Sequence, residues 1–167
     1  MRDGTGRIID YMRISITDRC NLRCRYCMPD GIRSLPRREI LTLEEIEMTA
    51  VCAARLGIRH IKITGGEPLV RKDCCDLAER IRQIPGIETV TITTNGILLA
   101  ENLNRLEEAG IGGINISLDT LDPDRYRELT GGGEIGRVLE GLDLAAAAHI
   151  PAKINAVSLD LGEQNWK

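Results

Sequence analysis

Residues 59–68 read Arg-His-Ile-Lys-Ile-Thr-Gly-Gly-Glu-Pro, a β-rich run that ends abruptly in two glycines, an acid and a proline. The run predicts a strand over 59–64 and a turn at its carboxyl end. The same grammar recurs on both sides. Upstream, residues 13–17 predict a first strand that runs into Thr17-Asp18-Arg19-Cys20; downstream, 88–93 and 113–117 predict a third and fourth, ending in Thr94-Asn95-Gly96 and Ser117-Leu118-Asp119. Residues 152–159 predict a fifth.

Helical patterns fill the gaps. Residues 43–56 open on Thr42 with Glu45 three residues on, the capping-box spacing, and stop at Gly57. Residues 72–83 run to the Pro85-Gly86 break, 98–109 stop at Gly110, and 123–129 and 136–149 complete the set. Strands joined by helices of this length imply right-handed crossovers and a parallel sheet, doubly wound or barrel-like. Polar or glycine-rich groups at the ends of four successive strands favour the barrel, where such positions converge on one face. The expected class is therefore α/β, an incomplete (β/α) barrel of parallel strands truncated after about the fifth, whose last strand presents an unpaired edge.

The chain has 167 residues with 43% hydrophobic and 28% charged side chains and a net charge of −3. These values describe one globular unit and argue against broad nucleic-acid or membrane-surface binding, both of which need a positive field. No Phe is present, so Leu, Ile, Val and Ala must fill the core. Residues 1–10 lack the apolar stretch of a signal peptide, no later run approaches ~20 apolar residues, and the expected location is cytoplasmic. In such a compartment the six cysteines are thiols, ligands or nucleophiles rather than disulfides.

Cys20-x3-Cys24-x2-Cys27 places three of them within eight residues of a loop after the first strand. Three thiolates on a [4Fe–4S] cluster leave one iron open to an external ligand. Zinc with a fourth ligand is the alternative, since thiolates suit it too; His60, in a strand pattern, and His149, at a helix end, are not evident partners. Cys52, Cys74 and Cys75 fall on helical patterns as small core residues.

The spacing of Cys20, Cys24 and Cys27 closely resembles that of the radical S-adenosylmethionine (SAM) superfamily. That resemblance implies a radical SAM barrel in which the open iron chelates SAM, and cleavage of the sulfonium yields a 5′-deoxyadenosyl radical. It implies SAM contacts at Tyr26, through its backbone, at Gly65, Gly66 and Glu67, with the Glu67 carboxylate on the methionyl ammonium, and at Ser117. The segments 13–21, 27–29, 63–69, 93–96 and 115–119 together resemble, more narrowly, the GTP 3′,8-cyclase family of molybdenum cofactor biosynthesis, lyases that join C3′ of GTP to C8. By that resemblance Arg13, Lys62, Thr93 and Lys153 bind GTP, the cations meeting its triphosphate.

The likeness runs from about residue 5 to Val157, and 158–167 depart from the pattern. Residues 1–167 are thus expected to be the N-terminal portion of the barrel domain. The C-terminal part, with a second cysteine triad whose cluster holds the guanine, is expected to be absent. The resemblance implies GTP as substrate and an external electron donor; the open edge leaves room for a homodimer or a complementary chain. Two other readings stay open: another radical SAM enzyme, such as a peptide-modifying member, and an inactive partner-binding product.

Overall fold

The computed structural model describes residues 2–27 and 35–158; the Met28-Pro29 pair and the chain from 159 onward lie outside the described residues. Five strands, β1 (Tyr11–Ser15), β2 (His60–Thr64), β3 (Thr89–Thr94), β4 (Gly113–Ser117) and β5 (Ala152–Asn155), alternate with α1 (Leu43–Arg55), α2 (Cys74–Arg82), α3 (Leu99–Glu108), α4 (Pro123–Thr130) and α5 (Ile135–Ala147). The strands form one all-parallel sheet in the order β1-β2-β3-β4-β5. A doubly wound sheet reverses direction at a switch point, whereas a sequential order with crossovers of one hand keeps every helix on one face. The barrel reading is therefore the correct one, open after five strands.

Side-chain alternation fits that geometry. Ile14, Ile16, Ile61, Ile63, Val90, Ile92, Ile114 and Ile116 are buried on the helix-covered face. Burying each such side chain contributes roughly 1.5–3 kcal/mol. Arg13, Ser15, Lys62, Thr64, Thr91, Thr93, Asn115 and Ser117 are half-buried or exposed on the other face. Lys62 is half-buried between Ile61 and Ile63, which point the opposite way, and all four residues of β5 are exposed.

Ile46, Ala50 and Ala53 of α1, Leu77, Ala78 and Ile81 of α2, and Leu99, Leu103 and Leu106 of α3 cover the apolar face. Helices α3 and α5 approach closely because Gly141 has no side chain: a Cβ there would lie 2.9 Å from that of Leu99. Cys74 and Cys75 are buried core residues, as the pattern predicts. Cys52 is exposed, because its position on α1 lies off the stripe set by Ile46, Ala50 and Ala53.

Local chemistry accounts for most boundaries. Thr42 accepts from the Glu45 amide while Glu45 accepts from the Thr42 amide, and α1 begins there. The second helix starts later than the pattern predicts, because Pro68–Val70 forms a separate short 3-10 turn capped by the Glu67 carboxylate. Strand β1 begins at Tyr11, two residues early, where it meets His60 in register. Strand β5 ends at Asn155. Among the described residues no helix is long and apolar enough to cross a membrane.

Candidate active site

The loops after β1, β2, β3 and β4 interlock at the carboxyl ends of the strands. Beyond β1, Ile16 donates to the Thr64 carbonyl at 2.9 Å; Gly66 then donates to Thr17 O at 2.7 Å and Glu67 to Arg19 O at 2.8 Å. This seam requires the glycine pair. A Cβ on Gly65 would stand 2.7 Å from Thr17 O, and one on Gly66 would meet Arg19 O, with Arg19 C at 2.7 Å and Asp18 O at 2.8 Å. The glycines thus admit the chain's own segment 17–19, which delivers Cys20.

Glu67 occupies the centre of the seam and is 1% exposed. Its Oε1 accepts from Leu69 N at 3.0 Å and from the Thr94 hydroxyl at 2.8 Å, and its Oε2 from Asn95 N at 2.6 Å. Burial pushes its pKa above the ordinary carboxylate range despite these three donors. The carboxylate aims into the protein, tying the end of β2 to the end of β3, rather than standing open toward the strand-end face.

Asn95 extends this tie to the first cysteine. Its Oδ1 accepts from Ile97 N at 3.0 Å, and its Nδ2 donates to Asn21 Oδ1 at 2.8 Å and lies 3.8 Å from Cys20 Sγ. The same sulfur accepts from Leu22 N at 3.4 Å. The cysteine loop next runs against the end of α4, with Arg23 N on Thr130 O and Arg25 N on Leu129 O, and turns where Cys27 N donates to Cys24 O at 3.0 Å. Tyr26 donates its hydroxyl to Asp119 Oδ2 at 2.5 Å, and Asp119 Oδ1 accepts from Val157 N at 2.9 Å.

Cys20 and Cys24 are half-buried against the core and Cys27 is exposed. Burial first, then the neighbouring Cys20, Cys27 and Asp119, push the Cys24 thiol up to about 11; burial likewise raises Cys20. Cys20 and Cys24 are thus thiols that a cationic centre would deprotonate on binding. Among the described residues no three His, Cys, Asp or Glu side chains close around a single-ion position. His60 and His149 lie at the amino-terminal ends of β2 and β5, opposite the cysteines.

A cubane with one iron per thiolate takes three thiols in one loop, and two N–H groups already aimed at Cys20 Sγ suit a thiolate. The Tyr126 hydroxyl, near enough to Cys24 to feel its charge, is buried with no hydrogen-bond partner among the described residues, as a donor kept for cluster sulfur would be. The residues fit a cluster.

The inner face of the sheet carries the other expected residues. Arg13 stands in register with Lys62, Thr93 with Asn115, and Asn115 with Lys153; Ser117, at the end of β4, is in register with Asn155. Arg13, Lys62 and Lys153 make no ion pair among the described residues. Burial, and then the charges of Arg13 and Lys153, push the Lys62 pKa down. The three cations therefore share one electrostatic neighbourhood.

Asn95, Asn21, Asp119 and Tyr126 are the residues that sequence reasoning did not assign. Asn95 and Asp119 sit in the strand-end groups Thr94-Asn95-Gly96 and Ser117-Leu118-Asp119, which was their available signal. Tyr126 had none.

A sequential parallel sheet whose first strand empties into a three-cysteine loop, seated on a glycine pair after the second, defines a cluster-binding half-barrel. The sequence profile of the radical SAM superfamily matches residues 14–165, and the chain belongs to that superfamily, whose cofactors are SAM and a [4Fe–4S] cluster. The GTP 3′,8-cyclase of Pelotomaculum thermopropionicum is 52% identical over 159 residues, covering 94% of this chain and 49% of that protein. GTP 3′,8-cyclase 1 of Pseudomonas aeruginosa is 49% identical over 156 residues, covering 93% and 47%. The chain thus spans about half the length of the curated relatives it matches. Streptococcus suis SuiB, in its SAM-bound crystal structure, superposes with a TM-score of 0.78 at 23% identity, over 92% of this chain and 35% of that one. The hydrogenase maturase HydG does so at 0.72 and 20%, over 88% and 34%. Both show the shared fold.

Proposed function

We propose that this chain holds a [4Fe–4S] cluster on Cys20, Cys24 and Cys27, binds SAM beside it, and supplies the triphosphate side of a pocket in which GTP becomes 3′,8-cyclo-7,8-dihydro-GTP. Residues 1–167 correspond, in this reading, to the N-terminal portion of the barrel domain. The carrying observation is the set Arg13, Lys62 and Lys153, three cations without an ion pair among the described residues, on the polar face below the cysteine loop of an acidic chain whose relatives are GTP cyclases.

When bound, the cluster and SAM supply a 5′-deoxyadenosyl radical able to abstract the 3′ hydrogen of GTP. The chain's own residues bind and orient. Gly65 and Gly66 fix the seam that sets Cys20, while the backbone at Tyr26 and the hydroxyl of Ser117 border the space for SAM. Arg13, Lys62 and Lys153 neutralise phosphate charge, each charge-assisted contact contributing ~1.5–3 kcal/mol. Thr93 offers a hydroxyl between them. An external electron donor completes the requirement, and a complementary chain or second copy would meet the β5 edge.

Anaerobic reconstitution tests this reading. About four irons with matching sulfide per chain, lost on Cys24→Ala, and conversion of SAM to 5′-deoxyadenosine are expected. Stoichiometric zinc without visible absorption would overturn the cluster. GTP binding should weaken with salt and on Lys62→Ala or Lys153→Ala, and salt-independent binding would remove the triphosphate pocket. Mass spectrometry of the product tests cyclisation, and its absence with the chain's relatives as positive control would assign that step to residues beyond this chain.

A further inference from the structure

The Thr94-Asn95-Gly96 group follows β3 at the same level as the cysteine loop, yet nothing in the proposed function uses Asn95. Its side-chain amide is held at both ends. Oδ1 accepts from Ile97 N at 3.0 Å, closing a local turn, which leaves only the NH2 facing the loop. That group donates to Asn21 Oδ1 at 2.8 Å and reaches Cys20 Sγ at 3.8 Å. The backbone at this residue is fixed as well, through Asn95 N on Glu67 Oε2 at 2.6 Å. A half-buried amide with its oxygen committed on one side and its nitrogen on the other cannot flip without losing its side-chain bonds to Ile97, Asn21 and Cys20. Its N–H is therefore a fixed positive dipole pointed at one sulfur.

Cys20 alone of the three cysteines has two such donors on its sulfur among the hydrogen bonds of the described residues, Leu22 N at 3.4 Å and Asn95 Nδ2. Hydrogen bonds to ligating sulfur withdraw electron density, and with burial and charge they set the reduction potential of an iron–sulfur cluster. Reduction adds negative charge to the cluster, so a donor fixed at the thiolate favours the reduced state.

We infer that Asn95 is a positioning residue that acts through Cys20: its amide raises the reduction potential of the cluster and thereby sets how strong an electron donor the protein requires. The inference rests on the cluster reading above and deepens it. Leu22 supplies a backbone donor that a change of side chain short of proline leaves in place, whereas Asn95 supplies the adjustable one. Glu67 serves the same end from further back, because its carboxylate anchors the Asn95 backbone.

Two variants separate the roles. Asn95→Asp keeps an oxygen for Ile97 N and turns a carboxylate oxygen toward Asn21 and Cys20 in place of the donor. Asn95→Leu removes the donor at similar volume without adding charge. Each reconstituted protein is analysed for iron and sulfide, and its midpoint potential is measured by mediated titration followed by electron paramagnetic resonance of the reduced state. Iron and sulfide analysis on the wild type tests the underlying cluster reading; the potentials test Asn95.

The expected result is full iron content with a more negative midpoint in both variants, the shift larger for Asn95→Asp. At the wild-type midpoint the reduced-to-oxidised ratio of that variant should fall about tenfold, which for a one-electron couple is about 59 mV. An unchanged or more positive midpoint in either iron-replete variant overturns the inference. So does loss of iron from both with the fold retained by circular dichroism, since a donor to one sulfur is not needed to hold a cluster.

Discussion

Replacing Tyr126 by Phe should stabilise the cluster-free protein, which is the opposite of what truncating a buried side chain ordinarily does. The residue is 3% exposed and its ring belongs to the core, yet its hydroxyl has no hydrogen-bond partner among the described residues. Leaving such a group unsatisfied costs about 1–3 kcal/mol. Phe retains the apolar ring and removes only the oxygen, so Tyr126→Phe should gain about that amount. For a domain of this size, 1 kcal/mol corresponds to about 2–4 °C in Tm. Urea unfolding followed by circular dichroism, under anaerobic reducing conditions with iron excluded, measures the difference. A cluster-free Tyr126→Phe protein that is less stable than wild type would refute the reasoning, since it would mean that the hydroxyl already has a partner.

Gly66→Ala should cost roughly 2–4 kcal/mol by forcing backbone away from Arg19 and Asp18 and breaking the seam, while Gly136→Ala, with open space around it on α5, should gain about 0.5–1 kcal/mol; equal urea midpoints for the two would sink the account of the seam. Glu67→Gln should cost about 1–3 kcal/mol, because an NH2 replaces one acceptor among three donors. Burial raises the folded pKa of Glu67, so the stability it contributes is present below the ordinary carboxylate pKa and is lost as pH rises through the folded value. The margin of wild type over Glu67→Gln should accordingly narrow between acid and neutral pH, and a margin that widens would contradict the direction.

Much of the fold could be read directly because each signal was local. Thr42 and Glu45 announce α1 three residues apart, Gly110 stops α3, and the five residues of β4 lie between clear boundaries. The start of β1 was less legible: Tyr11 and Met12 become strand only by pairing with His60 and Ile61, a partnership that residue spacing does not encode. In the same way the Glu67 side chain competes with the backbone at Leu69, inserting a separate turn before α2.

At the site, motifs located the strand-end loops but not the direction in which their side chains point. The resemblance implies SAM contacts at Gly65 and Gly66, and nothing in their spacing shows that they also make room for Thr17 and Arg19. The resemblance puts the Glu67 carboxylate on an ammonium; within the chain it accepts from Thr94 and Asn95. Both are facts of packing between segments that only meet when the sheet forms. A lone tyrosine on α4 carries no mark of the unsatisfied hydroxyl that burial creates.

The Tyr26 hydroxyl finds its acceptor on Asp119, 93 residues further along the chain, and the amide beside Cys20 comes from Asn95, 75 residues on. Chains emerge from the ribosome amino end first, at ~5–20 residues per second. The cysteine loop is thus made before the segments that set it: its thiols leave the ribosome several seconds before β3 and β4 exist to hold them. Iron delivered during synthesis would meet an unrestrained loop with three competing thiols, so faithful assembly favours loading after β4 has emerged.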